Sequence, residues 1–176
     1  IMKSPAFCQP SRWQAKAAKH DGDSRLLWRF PPRRLSPEEI RHTSSSAADK
    51  PTLQMGGARV RLYEYQQDNV ATYVPLDDHG PQTYRRAVYH QNARASVIDL
   101  LTDFDQPDCA FSTPRRVLTT TPLQALTMRN HAFTVDMAQA FAARVDNPQD
   151  LPGTIHAAFQ LAYQRDAAPE ELEACA

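Results

Sequence analysis

The chain has 176 residues with 20 basic and 20 acidic side chains, so its formal net charge is zero, and 41% of its residues are hydrophobic. This length suits one domain with a real core. No apolar run approaches the ~18 residues of a membrane-spanning helix, so the sequence predicts no membrane span. Basic side chains concentrate in residues 1–62 and acidic ones in the remainder. This division indicates internal complementarity and argues against a nucleic-acid partner.

Both ends of the sequence bear on its domain organisation. The chain opens at Ile1, and it stops at Ala176 inside a segment with a helical pattern, PEELEACA. We therefore expect residues 1–176 to form a single partial domain that is truncated at the amino terminus and at the carboxyl terminus.

The cysteine pattern carries no recognisable chemistry. Cys8, Cys109 and Cys175 are far apart and odd in number, and the sequence holds no CxxC, CxxCH or zinc-binding spacing. We expect three unrelated thiols, and no metal or cofactor within this chain.

The first predicted elements precede a glycine pair. Residues 1–24 predict a loop with at most a short helix. SPEEI predicts a helix start, with Ser36 as N-cap, Pro37 at the first position and two glutamates near the positive helix end. The run that follows contains no apolar side chain larger than alanine. Residues 42–51 therefore predict a mobile loop.

The middle of the chain predicts β structure followed by a short helix. Val60 and Leu62 alternate with polar side chains, and NVATYVPL follows after a polar stretch, which is the pattern of a β-hairpin. YRRAVYHQNAR favours a short strand around Ala87 to His90. In SVIDLLTDF the apolar residues recur at helical spacing, so this segment predicts a helix that ends at DQPD.

The sequence after Thr121 is helical in pattern. Six apolar residues recur at steps of three, four or seven and are expected on one buried face: Leu123, Leu126, Phe133, Met137, Phe141 and Val145. A last helix is expected from Pro169, and another after Asp150, whose inward residues are Ile155, Phe159 and Ala162. The predicted fold class is mainly α with a small β-hairpin element, an irregular helical domain of the α+β kind.

The segment TTTPLQAL has one structural explanation. Thr121, Pro122 and Gln124 fit a capping box, with threonine at the N-cap, proline at the first helical position and glutamine reaching back to the cap. The alternative is a ligand-binding loop in which the threonines act together with Arg115 and Arg116. The helix cap accounts for three residues at once and is the preferred interpretation.

Charged side chains crowd the segment before this helix. Asp103, Asp105 and Asp108 surround a proline turn, and Arg115 and Arg116 follow within thirteen positions. We expect this polar cluster to be a brace, in which the carboxylates are neutralised by the arginines and by local backbone groups.

Two chemical alternatives to the brace remain open. Converging carboxylates bind hard cations, but the aspartate spacing matches no calcium loop. Paired carboxylates also perform acid–base chemistry, so the enzyme hypothesis is a carbohydrate-active hydrolase with His90 near its site. Because no nucleophile, phosphate-binding or zinc motif is present, we predict no catalytic residue and no metal site.

Several motifs, taken in order, resemble those of a known family. They are RLLWRFPPRRLSPEEIR, QMGG, YRRAVYHQNAR, FDQPD, TPRRVLTTTPLQALTMRNHAFTVDMAQAFAARV and AFQLAYQRDAAPEEL. In this succession the chain resembles a planctomycete-type domain of unknown function, typically the carboxy-terminal part of large proteins that also carry a cytochrome c domain. The resemblance covers nearly the whole chain. The sequence departs from the family pattern after Arg41, where the family usually continues with an acidic residue and an apolar helix.

The resemblance implies an extracytoplasmic bacterial protein and supplies no established activity or catalytic residue. The expected function is a non-catalytic structural or interaction module of a larger protein. Its expected partners are other domains of the parent protein, with polysaccharide as a further candidate. A carbohydrate-active hydrolase and a docking domain for a cytochrome c module are the alternatives. The resemblance places any haem in a neighbouring domain of the parent protein.

Overall fold

The chain forms two compact units, Ile1–Arg34 and Leu35–Ala176. The structure, a computed structural model, describes residues 3–50, 53–67, 71–76, 78–92, 98–108 and 110–176. Most of its elements are α-helices, and the strands of the described residues form a two-stranded antiparallel hairpin. The predicted fold class, mainly α with a small β element, is confirmed.

The first unit contains helix α1, Ala15–Ala18, and a turn organised by Asp21. The Asp21 carboxylate accepts hydrogen bonds from the backbone N–H groups of Arg25 (3.0 Å) and Leu26 (2.7 Å). The Asp21 carbonyl oxygen accepts a bond of 2.8 Å from the indole N–H of Trp28. One aspartate therefore fixes the turn that follows α1.

The second unit contains the remaining elements. Its helices within the described residues are, in chain order, α2 (Pro37–Ala47), α3 (Asp99–Asp103), α4 (Pro122–Asn130), α5 (Ala132–Val145), α6 (Leu151–Tyr163) and α7 (Pro169–Cys175). Between α2 and α3 lie strands β1 (Tyr63–Gln67) and β2 (Ala71–Pro75) and a 3-10 helix (Ala87–Tyr89).

The β-hairpin follows the alternation that the sequence predicts. The strands β1 and β2 pair over five positions, beginning with Tyr63 opposite Pro75. Tyr63 and Tyr73 pack edge to face across the strands, with ring centroids 5.0 Å apart. Such cross-strand aromatic pairs stabilise a hairpin. Residues 68–70, between the two strands, lie outside the described residues.

The segment around His90 is attached to the chain before β1. The Val60 N–H donates to the Tyr89 carbonyl (2.9 Å) and the Gln91 N–H donates to the Val60 carbonyl (2.7 Å), which makes a parallel bridge between Val60 and His90. The prediction of a strand from Ala87 to His90 is wrong. The N–H groups of Tyr89 and His90 donate to carbonyls only three residues earlier, at 2.9 and 3.0 Å, so the chain winds into the 3-10 helix.

Helix α2 continues through residues that the sequence predicts as a mobile loop. Residues 42–47 are helical, and Ser45 and Ala48 are buried. The hydroxyls of residues 43–45 donate to carbonyls three or four positions earlier, at 2.8–3.0 Å. The helix itself therefore satisfies these polar side chains, which are small enough to pack closely. The prediction of a loop over 42–51 is wrong for its helical part, and residue 51 lies outside the described residues.

The core of the second unit joins α2, α3 and α5. Its buried side chains are Ala48, Tyr84, Leu100, Phe104, Phe133 and Met137. Ile40 and Phe141 pack at its edge. Burying one large apolar side chain of this kind contributes ~1.5–3 kcal/mol to stability.

Helix α4 presents polar side chains, and not its leucines, to the core. Gln124 and Thr127 are buried, whereas Leu123 and Leu126 are 52% and 55% exposed. The prediction that these two leucines begin one continuous buried face is therefore wrong. His131 ends α4 and begins α5. The buried face of α4 is therefore not continuous with the buried face of α5.

Helix α6 buries only part of its predicted face. Ile155 is buried and Phe159 is half-buried, but Ala162 is exposed, which corrects the prediction for that residue. Ala162 lines an open groove with Thr43, Ser44, Ser46 and Ala47 of α2, and its methyl group is too short to fill that groove. Asp150 caps the helix, accepting a hydrogen bond of 2.9 Å from the Gly153 N–H.

Two predictions from the sequence concern features of the whole chain. No helix among the described residues is both long and apolar enough to cross a membrane. Of the three predicted thiols, Cys175 is exposed, and Cys109 lies outside the described residues.

Candidate functional site

The start of α4 carries a capping box. The Thr121 hydroxyl accepts a hydrogen bond from the Gln124 N–H (3.4 Å), and the Thr121 N–H donates to Gln124 Oε1 (3.2 Å). Pro122 occupies the first turn. The Gln124 side-chain amide also donates to the carbonyl and to the hydroxyl of Thr119, both at 3.3 Å. These bonds fix both the helix start and the chain that leads to it.

Asp105 holds the same segment from the other side. Its two carboxylate oxygens accept bonds from the backbone N–H and the hydroxyl of Thr119, both at 2.7 Å. Asp105 has a φ of +67°, in the left-handed region that aspartate tolerates better than most residues. Because bonds to a charged group are the stronger ones, this pair ties the chain before α4 to the end of α3.

The other two predicted carboxylates also have partners within the chain. Asp103 accepts a hydrogen bond from the Thr127 hydroxyl of α4, and Asp108 accepts one from the Ala110 N–H at 2.9 Å. Each aspartate of the predicted cluster thus accepts hydrogen bonds from its own chain.

The two predicted arginines differ in their surroundings. Arg116 forms a bidentate ion pair with Glu38 of α2, with N–O distances of 2.7 and 2.8 Å. The hydrogen bond between them lowers the pKa of Glu38 and raises the pKa of Arg116. Arg115 is exposed, and the described residues include no hydrogen-bond partner for it. The predicted pairing with the aspartates is corrected: the carboxylate that reaches Arg116 comes from α2.

A second polar cluster lies inside the core. Arg41 of α2 is 3% exposed, donates to the Thr83 carbonyl at 2.6 Å, and stacks over the Phe133 ring at 4.0 Å. Burial lowers the pKa of Arg41 to about 10. Tyr84 donates its hydroxyl to Asp136. Burial, followed by that hydrogen bond, raises the pKa of Tyr84 to about 12.

Three histidines lie close enough to Arg41 for its positive charge to lower their pKa values. The rings of His79 and His131 are stacked, with centroids 6.3 Å apart. Burial is the largest cause that lowers the pKa of each of His79, His90 and His131, and the Arg41 charge adds to it. The pKa of His90 falls to about 4. Within the described part of the chain, no three histidine, cysteine or acidic side chains are grouped to hold a metal ion.

Sequence reasoning missed this core cluster. Its members come from α2, the loop after β2, the 3-10 helix and α5, so no spacing along the chain connects them. The one available signal was an arginine, Arg41, inside a predicted helix with few apolar residues.

An open cleft of about 380 Å³ lies between α2, the 3-10 helix and α3. Its polar lining includes Glu39, His42, Arg86 and His90. The volume is typical of a small-molecule site. Because charges of both signs line it, the cleft indicates no particular class of ligand.

Apolar side chains are exposed along the segment that precedes and begins α4. Five of them are 52–76% exposed, and we name them together the 111–126 surface: Phe111, Val117, Leu118, Leu123 and Leu126. Isolated exposed apolar residues are common, whereas adjacent ones mark an interaction site. Leu123 and Leu126 lie three positions apart on α4, so they are neighbours on one helix face.

The fold and these clusters define a class of protein. It is a mainly helical domain with an accessory β-hairpin, internal polar braces and an exposed apolar surface. The model of the PSD1 family, described as a protein of unknown function (DUF1553), matches residues 1–176. The chain therefore belongs to this family, which is the planctomycete cytochrome c-associated domain family, and the resemblance seen in the sequence is confirmed. No curated protein and no solved structure matches the chain.

Proposed function

We propose that this chain is a non-catalytic interaction module that holds other domains of a larger extracytoplasmic bacterial protein. The observation that carries the proposal is the 111–126 surface, where large apolar side chains are exposed on a segment that internal bonds hold in place. The resemblance to a domain found in large multidomain proteins supports the same conclusion.

The internal bonds make this surface suitable for docking. Leu118 directly precedes Thr119, which the Asp105 carboxylate holds by two bonds of 2.7 Å. Leu123 follows the capping threonine, Thr121, by two positions. Side chains on a backbone that is already fixed lose less conformational entropy on binding. The bonds between Asp105 and Thr119 and the Thr121 cap thus serve the interaction indirectly, because they fix the backbone that carries the exposed apolar side chains.

The proposed occupant is a neighbouring domain of the same parent protein. Within that proposal, a cytochrome c module is the alternative occupant, and any haem belongs to that module and not to this chain. The exposed apolar side chains favour both occupants, since electron-transfer partners also dock through small interfaces.

Binding between this chain and the remaining domains of its parent protein tests the proposal. Calorimetry with the separately purified parts should detect a complex. Replacing two leucines of the surface, Leu123→Ser with Leu126→Ser, should weaken it by about tenfold or more, because each buried leucine contributes over 1 kcal/mol. Leu151→Ser, at a half-exposed leucine of α6, is the matched control and should bind normally.

Three results would contradict this function. The first is the absence of a complex, and the second is an equal loss of affinity in the α4 variant and the α6 control. The third is turnover: release of reducing sugar from a polysaccharide by this chain, abolished by Asp105→Asn, would favour the hydrolase hypothesis.

A further inference from the structure

One face of the β-hairpin carries three tyrosines. Side chains alternate between the two faces of a strand, so Tyr63 and Tyr65 share a face with Tyr73, which lies opposite Tyr65 in the register. The rings of Tyr65 and Tyr73 are 5.4 Å apart and tilted by 56°. Tyr63 is buried beneath them, whereas Tyr65 is 45% exposed. The two outer rings therefore form a notch and not a flat platform.

A polar pair closes one end of this notch. Arg61 Nε donates to Gln91 Oε1 at 3.0 Å, and both side chains line a cavity of about 250 Å³ together with the three tyrosines. The backbone bridge at Val60 sets both side chains in place. The bond to Gln91 uses only one edge of the guanidinium. Its two terminal amino groups make no hydrogen bond with any residue that the structure describes.

Arg61 also lines a second, larger cavity of about 830 Å³. Arg59 and Arg85 line it too, and the described lining residues include no aspartate or glutamate. Arg85 is engaged by the carbonyl oxygens of Ala58 (2.7 Å) and Gln54 (3.1 Å). Arg59 and Arg61 therefore supply the positive charge that a ligand would meet beside the tyrosine notch.

We propose that these two cavities, which share Arg61 as a lining residue, bind a saccharide chain that bears carboxylate groups, such as an oligouronate. The residues that carry the site are Arg59, Arg61, Tyr65, Tyr73 and Gln91, which together we name the Arg61 groove. A pyranose ring presents an apolar C–H face and a polar edge, and tyrosine offers the matching combination of apolar face and polar tip. The terminal amino groups of Arg61 match a carboxylate in bidentate geometry.

Two other ligands would use part of the same groove. Single-stranded nucleic acid also pairs a positive groove with aromatic rings, but such domains usually have a pI above ~9, and this chain has a pI of about 7.2. A proline-rich peptide would occupy an aromatic notch and leave the arginine charges without a partner. The acidic saccharide uses both the rings and the charge.

Calorimetric titration of the purified chain with tetragalacturonate tests this inference. We expect saturable binding, weaker by about tenfold or more for the methyl-esterified tetrasaccharide, which lacks the charge. Arg61→Gln should lower the affinity for the uronate towards that of the ester, because Arg59 still supplies positive charge to the groove. Arg115→Gln makes the same charge change at an exposed arginine outside the groove and should leave binding unchanged.

The tyrosines are tested separately from the fold. Tyr65→Ala should abolish detectable binding, whereas Tyr65→Phe keeps the ring and should retain most of it, and circular dichroism checks that each variant is folded. Equal affinity for uronate and ester, no uronate binding at millimolar concentration, or tighter binding of a single-stranded oligonucleotide or a proline-rich peptide would overturn the proposal. The Arg61 groove shares no residue with the 111–126 surface, so either can fail while the other stands.

Discussion

Thr119 is held from two directions, and the two sets of bonds are unequal. The Asp105 carboxylate is 2.7 Å from both of its donors on Thr119, whereas the Gln124 amide is 3.3 Å from its two acceptors. Short bonds to an ionised group are about twice as strong as neutral ones. Asp105 therefore does most to fix the chain before α4, and Gln124 chiefly serves the cap.

The capping threonine gives a direct test at the scale of one residue. Thr121→Ala removes the acceptor for the Gln124 N–H, so the free energy of unfolding should fall by about 1 kcal/mol. Thr121→Ser keeps the hydroxyl and should retain most of that stability. Urea denaturation followed by circular dichroism measures both variants. An unchanged midpoint for the alanine variant would show that the cap contributes nothing.

This cap could be predicted from the sequence because its chemistry is local. Thr121, Pro122 and Gln124 lie within four positions, and each residue type has one natural place at a helix start. The partner of Arg116 could not be predicted in this way. Glu38 lies 78 positions away, and only the packing of α2 brings it within reach.

At the scale of elements, the adjacent arginines form a matched pair for measuring how α2 is joined to the loop before α4. Arg116→Ala breaks the bidentate pair with Glu38 and should lower stability by at most about 1 kcal/mol, because the pair is partly exposed. Arg115→Ala should have almost no effect. The difference between their urea midpoints should shrink as salt is added. Equal losses in the two variants would contradict the geometry.

Helices α2, α4 and α5 show which features of a helix can be predicted from local sequence and which depend on tertiary structure. The bounds of α4 and α5 follow from local caps, but the face that α4 buries does not. Gln124 and Thr127 turn inward because Thr119 and Asp103 offer them hydrogen bonds there. In α2, hydroxyls bonded to their own helix replace the apolar stripe that sequence reasoning requires.

At the scale of the whole molecule, the half-buried histidines make stability depend on pH. The pKa of His90 is lowered from 6.5 to about 4 in the folded state, so the unfolded chain takes up the proton first as pH falls. This contribution is fully present above pH 6.5 and is lost towards pH 4. It amounts to about 3 kcal/mol. His79 and His131, whose pKa values are also lowered, act in the same direction.

Thermal melts between about pH 7.5 and about pH 4 measure this dependence. His90→Gln removes the titrating group, so the loss of stability on acidification should become smaller than in the unaltered chain. His20→Gln, at an exposed histidine, is the control and should leave the slope unchanged. Parallel pH profiles for all three proteins would contradict the role of His90.

The fold class could be predicted because it depends on patterns that repeat within each segment. The core cluster could not, because Arg41, Thr83, Phe133 and Asp136 come from distant parts of the chain. A buried arginine is also improbable from composition alone, since burial disfavours its charge. Only the geometry shows that the Arg41 guanidinium donates to the Thr83 carbonyl and stacks over the Phe133 ring.

The separations between bonded residues have a consequence for how the protein is made. The Asp105–Thr119 bonds close a loop of 14 positions, whereas the bond from Arg144 to the Ala47 carbonyl (2.8 Å) spans 97. Loop closure over the longer distance costs about 2 kcal/mol more. During synthesis, which proceeds from the amino terminus, α2 leaves the ribosome long before α5 exists. Arg41 of α2 therefore stays in water until Phe133 of α5 has been made and packs over its guanidinium. The amino-terminal half of the chain completes its packing only after the carboxyl-terminal half has been synthesised.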